Sequence, residues 1–121
     1  MNLFDASALL VFLQGEDGAD VVEGALHDGG RVSAVNWSEV AQKVRAGHGS
    51  WPLASGVLLT YGLSVEPVLA QDAGRAALLW APGGSLSLAD RLCLATGERL
   101  AATVWTADRA WGSEGRVRQV R

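Results

Sequence analysis

Short apolar runs alternating with helical stretches predict an α/β protein, a three-layer α/β/α sandwich around a central parallel sheet. Three observations carry this expectation. Runs at 2–5, 31–35, 63–68, 102–107 and 116–120 are of strand length and favour Val, Leu, Phe and Trp. All but the last pair are separated by a dozen or more residues of helical pattern, the connection a parallel pair requires. Adjacent apolar residues such as Leu3 and Phe4, or Val104 and Trp105, suit strands covered on both faces.

Each element has its own signal. Residues 6–14 (ASALLVFLQ) read as a helix, and residues 15–30 as a second between glycine stops. RVSAV at 31–35 is a strand rich in β-branched residues. The helix of 36–49 places Val40, Ala41 and Val44 on one face. The helix of 50–62 has Pro52 near its first turn, where a missing N–H costs nothing. LSVEPV is a short strand that Pro67 ends or confines to a sheet edge. Residues 70–81 are helical, PGGS is a loop, and 86–101 is a long helix with Gly97 near its end. ATVWTA and RVRQV are the closing strands.

The 121 residues are 49% hydrophobic, enough for one domain spanning 1–121 with its own core. The net charge of −3 gives no basic footprint overall, but it is divided unevenly. Residues 1–74 hold three basic and nine acidic side chains, a net of −6; residues 75–121 hold seven and four, a net of +3. A basic C-terminal third can face phosphate, and scattered surface arginines explain the same numbers. Cys93 is the only cysteine, which excludes an intrachain disulfide and a cysteine-based zinc site; its run LCLA marks it as a buried small apolar group. Asp5 interrupts the first apolar run, no basic segment precedes it, and no stretch reaches the ~18–20 apolar residues of a membrane span. A soluble cytoplasmic protein is expected.

Two apolar runs a hundred residues apart lead into aspartates, Asp5 and Asp108. Burying an unpaired charge costs several kcal/mol, roughly, so such placement needs a reason. Ligands of open parallel sheets bind beyond the carboxyl ends of the strands, where both acids fall. Glu39, one turn into the helix after RVSAV, and Asp90, at the start of the longest helix, belong to the same sheet edge. Each has a local explanation. Asn36-x-x-Glu39 and Ser87-x-x-Asp90 resemble capping boxes, Glu39 can pair with Lys43, and Asp108 can cap the segment RAW. Together, four carboxylates in one cleft repel one another, and a divalent cation removes that penalty. Hard oxygen ligands favour Mg2+ or Mn2+.

These four segments carry a resemblance. FDASALL, SAVNWSEV, SLADRLCLATG and VWTADRAW, in this order and spacing, resemble the acid-bearing segments of PIN-domain proteins, specifically VapC-type toxin ribonucleases. The resemblance covers essentially the whole chain. It implies the three-layer sandwich and metal-dependent hydrolysis of RNA, with Asp5, Asp90 and Asp108 as metal ligands and Glu39 binding the ion through water or orienting the attacking water. Thr106 and Ser7 would support the acids, their plain alternatives being a strand residue and a helix cap. Arg91, Arg109, Arg116 and Arg118 are the candidates for phosphate contact. The resemblance further implies a cognate VapB-type antitoxin protein and a homodimer. An inhibitory segment would lie in an apolar groove of the helices at 6–14, 16–28 and 51–61 and place a guanidinium among the carboxylates.

Two rivals remain. A haloacid-dehalogenase-like phosphatase also begins with a strand ending in FD, but needs an acid two residues on, where this chain has Ser7. A degenerate PIN-like module would bind a partner without cutting. His27 and His48 lie away from the strand ends and are expected to be exposed. Among the five tryptophans, Trp105 is expected in the core; Trp37, Trp51, Trp80 and Trp111 suit core, dimer contact, partner groove or base stacking.

Overall fold

The computed structural model describes residues 1–121. The chain runs β1 (Asn2–Phe4), α1 (Ala6–Gln14), α2 (Ala19–His27), β2 (Gly30–Ser33), α3 (Ala34–Ala46), α4 (Trp51–Thr60), β3 (Ser64–Glu66), α5 (Ala70–Leu78), α6 (Leu88–Leu100), β4 (Thr103–Thr106), a 3-10 turn (Arg109–Trp111) and β5 (Val117–Gln119). All strands are parallel, in the order β3-β2-β1-β4-β5. The expected α/β/α sandwich is present. Each crossover between parallel strands carries helices, except β4 to β5, which only the 3-10 turn spans.

Successive residues of β1 serve opposite faces, as the two-residue period of a strand requires. Phe4 packs with Val32 against α1, α2, Val40 of α3 and Leu58 of α4, the larger core. Leu3 packs with Val104, Cys93 and Ala102 beneath α6. A Cβ on Gly97 would overlap the side chain of Val104, so this glycine lets α6 settle directly on β4. The contact seats the C-terminal part of α6 on the sheet.

Two elements depart from the sequence reading. RVSAV is a strand only through Ser33; Ala34 and Val35 belong to α3. The Ser33 hydroxyl accepts the Asn36 N–H at 3.1 Å and starts the helix there. Asn36 is therefore the third residue of α3 and not its cap, so the Asn36–Glu39 capping box does not form. At α6 the anticipated box is intact: Ser87 accepts from Asp90 N at 3.1 Å and donates from its own N to Asp90 Oδ2 at 2.9 Å. Pro67 follows β3 immediately, and β3 is an edge strand.

The chain starts in the middle of its sheet, builds β2 and β3 on one side, then crosses to β4 and β5 on the other. The order therefore reverses between β1 and β4. Such a switch point opens a crevice at the carboxyl ends of the two strands, because their following segments leave in opposite directions. Asp5 follows β1 and Asp108 lies two residues beyond β4.

Candidate functional site

Asp5 joins the sheet and the next helix at once. Its N–H donates to the Trp105 carbonyl at 3.0 Å, continuing the β1–β4 ladder. Its carboxylate caps α1, accepting the Ala8 N–H on Oδ1 at 2.8 Å. Two hydroxyls complete the shell. Ser7 donates to Oδ1 and Oδ2 at 2.8 and 2.9 Å, and Thr106 donates to Oδ2 at 2.6 Å. Each hydroxyl in turn accepts a backbone N–H from the segment after β4: Ala107 N to Ser7 Oγ at 2.9 Å, Asp108 N to Thr106 Oγ1 at 3.0 Å. The carboxylate is thus built into the junction of β1 and β4.

No cation accompanies it. Asp5 is 4% exposed and forms no ion pair. Burial pushes its carboxyl up to about 6; the bonds from Thr106, Ala8 and Ser7 pull it down, and the charge of Asp90 adds to the push. Beneath lies Cys93, fully buried, its thiol raised far above the usual range by burial and then by the charges of Asp5, Asp90 and Glu39. One thiol therefore feels three of the four sequence-predicted acids, contributed by the β1–α1 junction, α3 and α6.

The remaining oxygens divide by partner. Glu39 Oε1 accepts from Asn36 Nδ2 at 2.7 Å, while Asn36 Oδ1 accepts from the Ser33 hydroxyl at 2.8 Å. Asn36 is buried and holds the glutamate in place. The sequence reading missed this role because it placed Asn36 at the helix start; the signal was Ser33 three residues earlier. Asp90 spends Oδ2 on the Ser87 N–H. Asp108 turns outward and caps the 3-10 turn, its Oδ1 accepting the Ala110 N–H at 2.9 Å. Asp5 and Asp90 are in electrostatic contact, Glu39 shares their thiol, and Asp108 is joined to the group only through its N–H on Thr106.

No three His, Cys, Asp or Glu side chains are gathered closely enough to hold a metal ion. The donor chemistry nevertheless fits a hard divalent cation. All the acids offer oxygen, and the Asp5 carboxyl, raised by burial and by the charge of Asp90, would gain from a cation. His27 and His48 are exposed, as expected. The Arg91 guanidinium donates Nη1 to the Ala76 carbonyl at 2.9 Å. Arg109 is exposed, and none of Arg91, Arg109, Arg116 and Arg118 forms an ion pair. Trp105 is half-buried against the larger core and donates Nε1 to Asn2 Oδ1 at 3.0 Å. Trp37 and Trp51 pack edge to face, centroids 4.7 Å apart.

The PIN domain family model matches residues 3–113. No curated protein matches the chain. Among solved structures, a toxin–antitoxin complex from Klebsiella pneumoniae superposes with a TM-score of 0.78 at 19% identity, covering 100% of this chain and 98% of that one. A VapC toxin from Mycobacterium tuberculosis, described as cleaving the sarcin–ricin loop, superposes at 0.66 and 16% identity over 88% of each chain. A VapBC complex from Rickettsia felis bound to a DNA fragment from its promoter does so at 0.66 and 11% identity, over 98% and 97%. These identities establish a shared fold.

Proposed function

The chain belongs to the PIN-domain family, and from that premise we propose that it is a divalent-metal-dependent endoribonuclease, the toxin of a VapC-type toxin–antitoxin pair. The observation that carries the reading is the Asp5 carboxylate: buried at the switch point, held by three donors, beside a second acid, with no cation of the chain to pair it. A structural acid is normally given a partner.

Asp5, Asp90 and Asp108 would hold Mg2+ or Mn2+, with Glu39 beside them. The chemistry that such an ion would supply there is polarisation of the scissile phosphate and activation of a water. The chain's own groups orient and exclude. Ser7 and Thr106 hold the Asp5 carboxylate in one rotamer. Thr106 also ties down the Asp108 backbone. Asn36 fixes Glu39 through Oε1, and Oε2 accepts no hydrogen bond from the protein, so it is available to orient water. The phosphatase alternative lacks its general acid, since Ser7 stands there bonded to Asp5.

An antitoxin partner is supported by the Klebsiella and Rickettsia neighbours, which are toxin–antitoxin complexes, and an RNA substrate by the Mycobacterium neighbour's described activity. A groove for an antitoxin segment is offered by a cavity of about 430 Å³ between α1, the end of α3 and α4, with Phe12, Val44, Leu53 and Val57 on its walls. Leu53 is 70% exposed there. Helix α2, expected to contribute, does not line it. Such a protein would act in the cytoplasm, where its RNA is, and homodimerisation belongs to the same reading. No helix is long and apolar enough to cross a membrane.

The degenerate PIN-like module draws support from one observation, the use of the Asp90 and Asp108 carboxylates in helix caps. Cleavage of RNA by the purified protein with Mg2+ or Mn2+, lost on chelation and in Asp5→Asn, establishes the nuclease. Metal-independent or absent cleavage, with no growth arrest on expression, establishes the binding module.

A further inference from the structure

A second concavity, of about 320 Å³, is walled by Trp80, Leu86, Arg91, Leu94, Trp111 and Val117. Its size is at the low end for small-molecule pockets, suited to one flat group. Two of its walls adjoin acids along the chain. Arg91 directly follows Asp90, and Trp111 belongs to the turn that Asp108 caps.

Its chemistry is lopsided. Two indoles and three aliphatic side chains provide apolar walls. Trp80 is 61% exposed, so much of its ring is available for contact. The only charge among the walls is Arg91, a cation without a carboxylate partner. Two buried N–H donors, Arg91 Nε and Trp111 Nε1, have no acceptor. An unmade hydrogen bond at a buried donor costs about 1–3 kcal/mol, and the chain supplies neither of these with an acceptor. The fitting occupant is flat and aromatic and is tied to negative charge.

We propose that this pocket receives a nucleobase of single-stranded RNA adjoining the scissile phosphate, with Trp80 as the stacking surface and Arg91 as the cation beside it. The inference rests on the nuclease reading above and adds to it a specificity-determining subsite. Arg109, Arg116 and Arg118, unpaired in the same C-terminal third, supply charge complementarity for the strand leading to it. An exposed stacking ring explains why Trp80 stays in water while Trp37, Trp51 and Trp105 pack on the larger core.

The test uses full-length protein carrying Asp5→Asn, in chelator, and single-stranded RNA oligonucleotides followed by fluorescence anisotropy. One position at a time around the cleavage site is made abasic. Trp80→Ala is expected to weaken binding roughly 5- to 150-fold, the worth of one stacked base. Removal of one particular base should cost the same, and should cost nothing further in Trp80→Ala protein. Trp80→Phe should recover most of the loss. Unchanged affinity in Trp80→Ala, or equal losses at every abasic position in both proteins, overturns the subsite. If cleavage by the unsubstituted protein is still metal-dependent in that event, the nuclease reading stands without it. If the unsubstituted protein neither binds nor cleaves RNA, both fall together.

Discussion

Around Arg99, two carboxylates are paired; above Cys93, three are not. Arg99 of α6 grips Asp72 of α5 with two parallel bonds, Nε to Oδ1 at 2.8 Å and Nη2 to Oδ2 at 3.0 Å, and reaches Glu66 at 3.0 Å. Arg31 closes the group on Glu66 at 2.6 Å. Burial pushes Asp72 up, but Arg99 and the Leu69 N–H outweigh it and leave the carboxyl below its usual value. Glu66 is lowered chiefly by Arg31. In the second group, the charges of Asp5, Asp90 and Glu39 all raise one thiol, and their carboxylates have hydroxyl, amide and backbone donors only. The first arrangement joins α5, α6 and β3. The second leaves unbalanced negative charge at a switch point, the condition of a site awaiting a cation.

The sharpest separation of the two groups is in catalysis. Asp5→Asn retains an N-cap acceptor for Ala8, so the fold should persist while RNA cleavage falls roughly a thousandfold or more. Circular dichroism and a cleavage assay on the same preparation check both halves. Activity within tenfold of the unsubstituted protein would break the comparison.

Stability should respond at the other group. Arg99→Met leaves Asp72 buried without its cation, and unfolding free energy should fall by about 3–5 kcal/mol in denaturant titration. Asp72→Asn and Arg99→Met together should recover part of the loss, because no unpaired charge then remains.

The pH dependences have opposite signs. Asp5 is raised to about 6 from its ordinary 3.8. Its protonated form stabilises the fold fully below pH 3.8, and that contribution disappears as pH rises through 6. In chelator, the stability of the unsubstituted protein relative to Asp5→Asn should therefore decline between about pH 4 and 6, by on the order of 2–3 kcal/mol. Glu66 and Asp72 are lowered, so their contribution is present above ordinary carboxyl values and disappears as pH falls through their folded values. Relative to Arg99→Met, the unsubstituted protein should lose its advantage in acid. Paired denaturation curves across pH 3–7 measure both.

The smallest effect belongs to Asp90→Asn without metal. The amide oxygen can still accept the Ser87 N–H, and one repulsive charge is gone, so stability should move by less than about 1 kcal/mol. A loss above that, in chelator, would mean that the Asp90 charge stabilises the start of α6 more than Asp5 repels it.

What the sequence determined is what neighbours along the chain decide. The strand and helix alternation, the Ser87–Asp90 box, Pro67 after an edge strand and the burial of Cys93 all depend on period or on bonds spanning three or four residues, and these were legible. The start of α3 was misjudged by the same local rule, because two polar residues, Ser33 and Asn36, competed for the cap. Tertiary structure alone decided what converges. Ser7 and Thr106 meet on Asp5 from 99 residues apart, Arg99 finds Asp72 across 27, and Asp108 turns toward Ala110 while the charge of Asp90 still reaches Asp5. Those choices follow from strand order and from α6 lying close on β4 at Gly97. Side chains distant in sequence meet only after the sheet has been assembled, and no local pattern encodes the order of its strands.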